Sequence, residues 1–393
     1  MLNSIFYILI FIIIVLLAIL LKNKNIVITI IFSLIIIQII ITPKLCIDGV
    51  ISGASLFFYK VFPSLFSFLI VCNIIMAYDG VHIYSKLLGK FICKPLKLPI
   101  NCSFVLIVSV LCGYPLGAKY ACQLYENKII NTKTCERLIN IASNGSPLFI
   151  LGSVGISMLK NDSIGYILLL SNILSCIAMA FIVPSDGVVL KDTFLHPHNV
   201  KSQQNIGNVL KSSVESSIKN CLSIGGFVTL FSVANNIIKN NILFHILSNT
   251  INNITKIPLD AIQGFILGII EMTNGCNLIS ETSLSLLYKI AIISFLFTFS
   301  GLSIISQVYS FTYKFDISMK TYVFRKLIQG VICSLITIFL YKIFFYHSLP
   351  IISSFNNNAD CNHYSTQNLI LLIYILFLIP WILSKLRSLF HIS

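Results

Sequence analysis

The sequence predicts an all-α, polytopic membrane protein with about nine spans and two re-entrant loops made of broken helices. Hydrophobic residues make up 56% of the 393 residues and charged residues only 10%, with a mean hydropathy of +0.92, a balance that soluble folds do not have. Apolar stretches near the ~20 residues that a helix needs to cross the bilayer recur along the chain. Glycine, proline or charged residues interrupt two of these stretches, which predicts helices that break inside the membrane.

The net charge and the cysteines exclude several other classes of protein. The net charge is +14, but loops that face anionic lipid accumulate Lys and Arg, and the sequence has no basic module interleaved with aromatic residues. We therefore expect the lipid bilayer, and no nucleic acid, as a partner. The 12 Cys show neither a CxxC pair nor a ligand spacing, so they predict neither zinc nor disulfides.

The sequence also lacks the motifs of an enzyme. It contains no Walker loop, nucleophile elbow or pair of catalytic carboxylates, so we expect neither enzymatic activity nor a cofactor. His196 and His198 suggest a metal pair, but only Asp192 accompanies them. A solvated linker explains these histidines better, and we expect no metal.

The apolar segments follow one another at short intervals. Residues 1–21 and 26–42 predict an N-terminal hairpin of two helices, and Lys22 and Lys24 favour a retained span over a cleaved signal peptide. The remaining apolar segments run over residues 50–77, 98–117, 138–159, 164–183, 220–238, 257–277, 286–311, 327–346 and 368–383.

The distribution of Lys and Arg predicts which segments are re-entrant. If segments 98–117 and 257–277 each enter and leave the membrane on one side, with the N-terminus outside, 20 of the 27 cations fall on the cytoplasmic side. If segment 98–117 crossed fully, the cation-rich loops before and after it would lie on opposite faces. The re-entrant arrangement is therefore preferred, and it places the cation-free loop 347–367 outside.

Three landmarks recur at a nearly constant distance, which predicts an internal duplication. Because each half has an odd number of full spans, the second half must be inverted in the membrane. The matched landmarks are Leu98-Pro99 with Ile257-Pro258 at an offset of 159, Gly113 with Glu271 at 158, and residues 144–147 with 300–303 at 156. The predicted units are the hairpin 1–44, the first repeat 45–183, a polar linker 184–219, the second repeat 220–346, and an extracytoplasmic loop with a C-terminal span 347–393.

The first break predicts a substrate site, since backbone groups freed inside hydrocarbon must face protein, water or a ligand. Gly113, Tyr114, Pro115 and Gly117 form the break, and Lys119 follows it. The Lys119 ammonium and the N–H groups of a helix that restarts after Pro115 offer positive charge to an anionic substrate. The alternative is a lysine that extends to the membrane interface.

The second break contains Glu271, Thr273 and Asn274. An intramembrane carboxylate is functional by default, so we expect Glu271 to bind a coupling proton or cation. The alternative is a structural ion pair with Lys119. Thr273 and Asn274 supply a hydroxyl and an amide that can orient a ligand.

Each half contains a second unwound point. In the first half it comprises Ser143, Asn144, Ser146 and Pro147, and we predict that they bind substrate; the alternative is an ordinary proline kink. In the second half, Ser303 and Gln307 lie at the matching place.

Four stretches of the chain carry a resemblance to a known family. Over about residues 45 to 346 the chain resembles the sporulation integral membrane protein family YlbJ, whose members carry a nucleoside recognition or Gate domain. Gly145 and Ser146 depart from the family pattern, in which a shorter Asn-Pro spacing is expected. The stretches are residues 53–65 (GASLFFYKVFPSL), 113–119 (GYPLGAK), 142–149 (ASNGSPLF) and 301–308 (GLSIISQV).

This resemblance implies a spore-forming source and a fold akin to concentrative nucleoside transporters. It also implies transport of dipicolinate, pyridine-2,6-dicarboxylate, from the mother cell toward the forespore, in the outer forespore membrane. Tyr114, Phe149 and Lys119 suit a rigid aromatic dianion. Two alternatives remain open: a nucleoside transporter, and a structural or morphogenetic sporulation protein without transport activity.

Overall fold

A computed structural model describes residues 24–78, 80–184 and 205–346. All regular structure within these ranges is helical, which confirms the predicted all-α class. The first part contains α1 (Lys24–Ile41), α2 (Pro43–Leu56), the π-helical turn π1 (Phe57–Val61), α3 (Phe62–Ala77), α4 (Gly80–Cys93), α5 (Cys102–Cys112), α6 (Leu116–Glu126), α7 (Thr132–Ile141), the π helix π2 (Phe149–Met158) and α8 (Asp162–Ile182). The second part contains α9 (Ile206–Lys239), α10 (Ile242–Thr255), α11 (Leu259–Ile270), α12 (Met272–Glu281), α13 (Leu286–Phe299), α14 (Gly301–Thr312) and α15 (Met319–Tyr346).

Four helical stretches among the described residues are long and apolar enough to cross a membrane. This supports the predicted polytopic membrane class. The predicted spans 1–21 and 368–383, and the loop 347–367, lie outside the described residues. The four stretches are Asp162–Ile182, Ile206–Lys239, Leu286–Thr312 and Met319–Phe344.

Both segments predicted to be re-entrant form helical hairpins. In the first, the ring of Phe104 on α5 packs edge-on against Tyr120 on α6, with 5.7 Å between centroids. In the second, α11 and α12 touch at Gly268 and Gly275, where neither glycine has room for a Cβ atom. The chain therefore turns back at each break rather than continuing along one axis.

The helical stretches that open the two parts pack side by side in opposite directions. The Asn236 side chain on α9 donates to the carbonyl oxygen of Leu45 on α2 at 2.6 Å. Further along, Asn73 on α3 donates to the Ser217 hydroxyl at 3.1 Å. Residue numbers rise along one helix as they fall along the other, so α2 and α3 run antiparallel to α9.

The order of helices in residues 43–182 recurs in residues 206–346. Each part begins with a long helical stretch and a 14-residue helix, α4 or α10. A broken hairpin, a second broken helix and a long apolar helix then follow in both parts. Because α9 begins at Ile206, the boundary predicted at residue 220 falls inside this helix; residues 185–204 of the predicted linker lie outside the described part.

Two cations that the charge count assigned to cytoplasmic loops are buried. Arg137 on α7 is 5% exposed and donates to the carbonyl oxygens of Val183 and Lys97, each at 3.1 Å. Lys326 on α15 is fully buried. The count of 20 cytoplasmic cations therefore included side chains that lie inside the protein.

Substitution of Gly53 by Ala should loosen the antiparallel helix pair. A Cβ atom at Gly53 would lie 2.8 Å from the Thr229 Cα atom, closer than packed atoms allow. We expect a loss of about 1–3 kcal/mol in stability, measured as a lower melting temperature of the purified protein in detergent.

Gly226→Ala on α9 is the matched control, since a Cβ atom there meets nothing within 4 Å. Alanine should stabilise the helix by up to about 1 kcal/mol. Equal melting temperatures for both variants would contradict close packing at Gly53.

Candidate functional site

The two unwound segments of the first half lie directly against each other. The backbone N–H of Tyr114 donates to the carbonyl oxygen of Asn144 at 2.7 Å. Gly113 has φ +77°, and a Cβ atom on it would lie 2.6 Å from the Ser146 nitrogen. Only glycine combines this left-handed backbone with so close an approach. Part of the freed backbone at one break is thus satisfied by the other break.

Glu271 forms the break between α11 and α12 and is 1% exposed. Its extended backbone ends α11, and its side chain caps α12, where Oε2 accepts from the Asn274 N–H at 2.7 Å. The Thr273 hydroxyl also hydrogen-bonds to this carboxylate. The positive end of the α12 dipole thereby holds a negative group inside the protein.

The first break of one half meets the second half at Tyr114. Its hydroxyl lies 2.8 Å from the Met272 Sδ atom and donates to the Phe297 carbonyl oxygen at 3.3 Å. A cavity of about 40 Å³ lies at this meeting point, and Ser146 and Thr273 contribute to its wall. The other lining residues include Val61, Phe149, Val228, Glu271 and Ile304.

This central cavity is too small for a metabolite. Its volume suits a water molecule, whereas sites for small molecules occupy about 300–1,000 Å³. The breaks must separate before a solute of that size can enter.

A second, larger cavity of about 320 Å³ lies between α2, α9, α11 and α12. Asn274 lines it and donates its side-chain amide to the Ser232 hydroxyl at 3.0 Å. Thr273, the preceding residue, lines the central cavity. The two cavities therefore reach consecutive residues of α12. The other polar lining residues of the larger cavity are Asp48, Ser52, Asn235, Asn236, Lys239 and Asn277.

Polar side chains close the opposite end of the α3–α9 interface. Asn73 donates to Ser217 Oγ at 3.1 Å, and the Tyr120 hydroxyl donates to Asn73 Oδ1 at 3.4 Å. These bonds tie α3, α6 and α9 together at the end of the interface that lies away from the larger cavity.

The structure brings several predicted residues to the breaks in structural roles. Gly117 packs so tightly on the Ala142 carbonyl oxygen that no Cβ atom fits. Ser146 Oγ accepts from the Phe149 N–H at 3.2 Å, and Pro147 follows at the start of the helical segment that continues into π2. Pro115 occupies the N-cap position of α6.

Other predicted residues lie away from the central cavity. Lys119 is half-buried one turn into α6, does not line the cavity, and forms no ion pair with Glu271 in the described structure. Asn274 lies inside α12 rather than at the break. Ser303 and Gln307 are buried on α14, and the Gln307 Oε1 atom has no hydrogen-bond partner.

Lys326 is the residue of this region that the sequence did not single out. Its ammonium donates to the Ser143 carbonyl oxygen at 2.8 Å and to Gln329 Oε1 at 3.0 Å. Tyr322, one turn earlier, hydrogen-bonds to the Ser143 hydroxyl at 2.9 Å. One face of α15 carries Tyr322, Lys326, Gln329 and Cys333. This row of polar side chains is the sequence signal that could have predicted the part played by Lys326.

The chain is 29% identical over 341 residues to the sporulation integral membrane protein YlbJ of Bacillus subtilis (strain 168), which covers 82% of this chain and 84% of that protein. This similarity supports membership of the YlbJ family. No family model and no solved structure matches it.

The similarity to this relative, together with the apolar helices, supports an integral membrane protein of sporulation. The description of the relative names a membrane protein and a process, and it names no solute. The chemistry of the YlbJ-like site therefore has to be argued from its residues.

Removal of the Glu271 carboxylate should destabilise the protein. Glu271→Ala deletes the N-cap of α12 and should lower stability by about 0.5–2 kcal/mol, measured as a lower melting temperature in detergent. Glu271→Asp, which keeps a capping carboxylate, should recover most of this loss.

Glu281→Ala is the control, since that exposed carboxylate at the end of α12 accepts from the Asn277 side chain. If Glu271→Ala melts no lower than Glu281→Ala, the carboxylate does not cap the helix.

Proposed function

We propose that the protein is a transporter of a small anionic solute, and that dipicolinate is its substrate. The observation that carries this proposal is the cavity lined by Tyr114, Ser146, Glu271 and Thr273, among other residues. Residues from both broken hairpins contribute to it, and discontinuous helices that meet inside the membrane are typical of secondary transporters. Movement from the mother cell toward the forespore, across the outer forespore membrane, is the direction that the family resemblance implies.

We infer that the two parts of the chain are inverted repeats. The same order of helices occurs twice, and the long helices that open each part run antiparallel where they touch. Helices of a duplicated unit that pack antiparallel are related by an axis in the membrane plane. The proposed topology keeps about nine spans, with the hairpins α5–α6 and α11–α12 re-entrant.

The two ends of the interface that α2 and α3 form with α9 suggest how the central cavity opens to each side of the membrane in turn. The larger cavity gives a polar route from the Lys239 end of α9 to Asn274, beside the central cavity. At the other end, Asn73, Ser217 and Tyr120 close the route by direct hydrogen bonds. We propose that rocking one repeat against the other breaks these bonds and closes the polar cavity.

The proposed binding mode uses the first turn of α6. No side chain caps this helix, so its N–H groups and Lys119 offer positive charge to a carboxylate. Tyr114 and Phe149 offer aromatic faces to a pyridine ring. Because a dianion beside an ionised Glu271 would be repelled, we propose that Glu271 carries the coupling proton when substrate binds.

A nucleoside transporter is the second candidate. Lys119 does not line the central cavity, whereas the hydroxyls of Tyr114, Ser146 and Thr273 do. Hydroxyl groups of this kind suit the neutral amides and hydroxyls of a nucleoside.

Uptake into proteoliposomes tests the proposal. Thr273→Val keeps the shape of the side chain but removes a hydroxyl that lines the cavity and hydrogen-bonds Glu271. We expect uptake of labelled dipicolinate to fall about tenfold. This is the effect of losing one hydrogen bond to the charged substrate, worth about 1.5 kcal/mol. Uridine in excess should leave wild-type uptake unchanged.

Thr250→Val is the matched control, because Thr250 is exposed on α10 and bonds only to the carbonyl oxygen of its own helix. Uptake of uridine in place of dipicolinate would select the nucleoside transporter. If neither solute enters, and spores carrying Thr273→Val hold normal dipicolinate, the structural or morphogenetic role is favoured.

A further inference from the structure

Lys326 places a fully buried ammonium group at the unwound segment between α7 and π2. Its two hydrogen-bond acceptors are oxygen atoms: the Ser143 carbonyl at 2.8 Å and Gln329 Oε1 at 3.0 Å. No ion pair joins it to a carboxylate within the described ranges. A buried ammonium of this kind is costly unless its surroundings replace water.

The surroundings of the Lys326 ammonium carry partial negative charge. The helix α7 ends at Ile141, two residues before the carbonyl that Lys326 contacts, and the end of a helix carries partial negative charge. The segment from Ser143 to Ser146 is unwound. The carbonyl oxygens of Asn144 and Ser146 accept from backbone N–H groups, whereas that of Ser143 accepts from the Lys326 ammonium. Transporters use such carbonyls and helix C-termini to coordinate sodium ions or protons.

Both acceptor residues, Ser143 and Gln329, are also held in place by hydrogen bonds to groups other than the Lys326 ammonium. The Ser143 hydroxyl is bonded to the Tyr322 hydroxyl at 2.9 Å, and the Gln329 side-chain nitrogen donates to Cys176 Sγ at 3.1 Å. This second bond leaves the Gln329 oxygen directed at the ammonium.

At the corresponding break of the second half, the group that donates from the long apolar helix is neutral among the residues that the structure describes. Ser300 separates α13 from α14, and near it the neutral amide of Asn172 on α8 donates to Thr298 Oγ1 at 3.2 Å. Asn172 and Lys326 lie on the long apolar helices, α8 and α15, that follow the broken helices of the two halves. A neutral group can therefore serve a broken helix, so capping alone does not explain the charge of Lys326.

We propose that the Lys326 ammonium is a tethered cation that occupies a sodium-type site at the break after α7, so that this break needs no free sodium ion. Lys326 is a positioning residue, since Ser146 and Phe149 line the central cavity but Ser143 does not. The expectation that transport is independent of sodium rests on the proposed function. The occupancy of the site by lysine does not.

Thermal unfolding of the purified protein tests the proposal without a transport assay. Lys326→Ser leaves the oxygen atoms in place and empties the site. In choline chloride this variant should melt below wild type, and sodium or methylammonium chloride at equal ionic strength should restore at least half of the lost melting temperature.

Lys289→Ser is the matched control. Lys289 on α13 also donates to a backbone carbonyl, that of Ser280 at 2.9 Å, but it is only half-buried. Its melting temperature, like that of wild type, should be the same in all three salts. A Lys326→Ser variant that gains nothing from either small cation would overturn the proposal.

A wild-type measurement decides the question if Lys326→Ser does not fold. Sodium should stabilise the wild-type protein no more than choline does, and a sodium gradient should not accelerate dipicolinate uptake. Sodium-specific stabilisation, or sodium-driven uptake, overturns the tethered cation but leaves dipicolinate transport standing. Absence of dipicolinate uptake rejects the proposed substrate and leaves the cation result intact.

Discussion

Backbone groups released at a helix break inside hydrocarbon must find partners, and this requirement organises the centre of the molecule. The N–H of Tyr114 finds the carbonyl of Asn144, and the carbonyl of Ser143 finds the ammonium of Lys326. In the second half, Gly301 has φ +68° and lies against the carbonyls at the end of α11. Each break thus depends on another element for its stability, because water is absent from this part of the membrane.

The same mutual dependence explains why a cavity occurs where the breaks meet. A backbone hydrogen bond between two breaks can be replaced by a hydrogen bond from the same group to a solute. Side-chain packing between uninterrupted helices offers no such backbone groups. Glu271 adds a carboxylate whose hydrogen bonds come from its own helix, so its position does not depend on a counter-ion. The proposed transport cycle then requires only that the breaks separate while the polar route at one end closes.

The sequence predicted the parts of this arrangement that depend on local chemistry. Glycine and proline between Cys112 and Leu116 predicted the first break, and an acidic residue in an apolar segment predicted that Glu271 is buried. The helical class followed from composition. These features are set by residues that are neighbours along the chain.

Features set by distant contacts were not predictable in the same way. The position of Lys326 depends on α15 beginning at Met319, while hydropathy placed the start near residue 327, so the lysine was counted as a loop cation. The beginning of α9 was missed because Lys211 and Lys219 made residues 206–219 look like a linker. Val209, Ser213 and Ser217, spaced four apart, are the buried face of that helix.

The central claim, that a solute binds where the two broken hairpins meet, is tested most directly by an experimental structure of the protein with dipicolinate bound. The account predicts density for the dianion between Tyr114, Thr273 and the first turn of α6, in a cavity larger than the present 40 Å³. Density at any other position, with the Tyr114 to Asn144 bond and the size of the cavity unchanged, would contradict it.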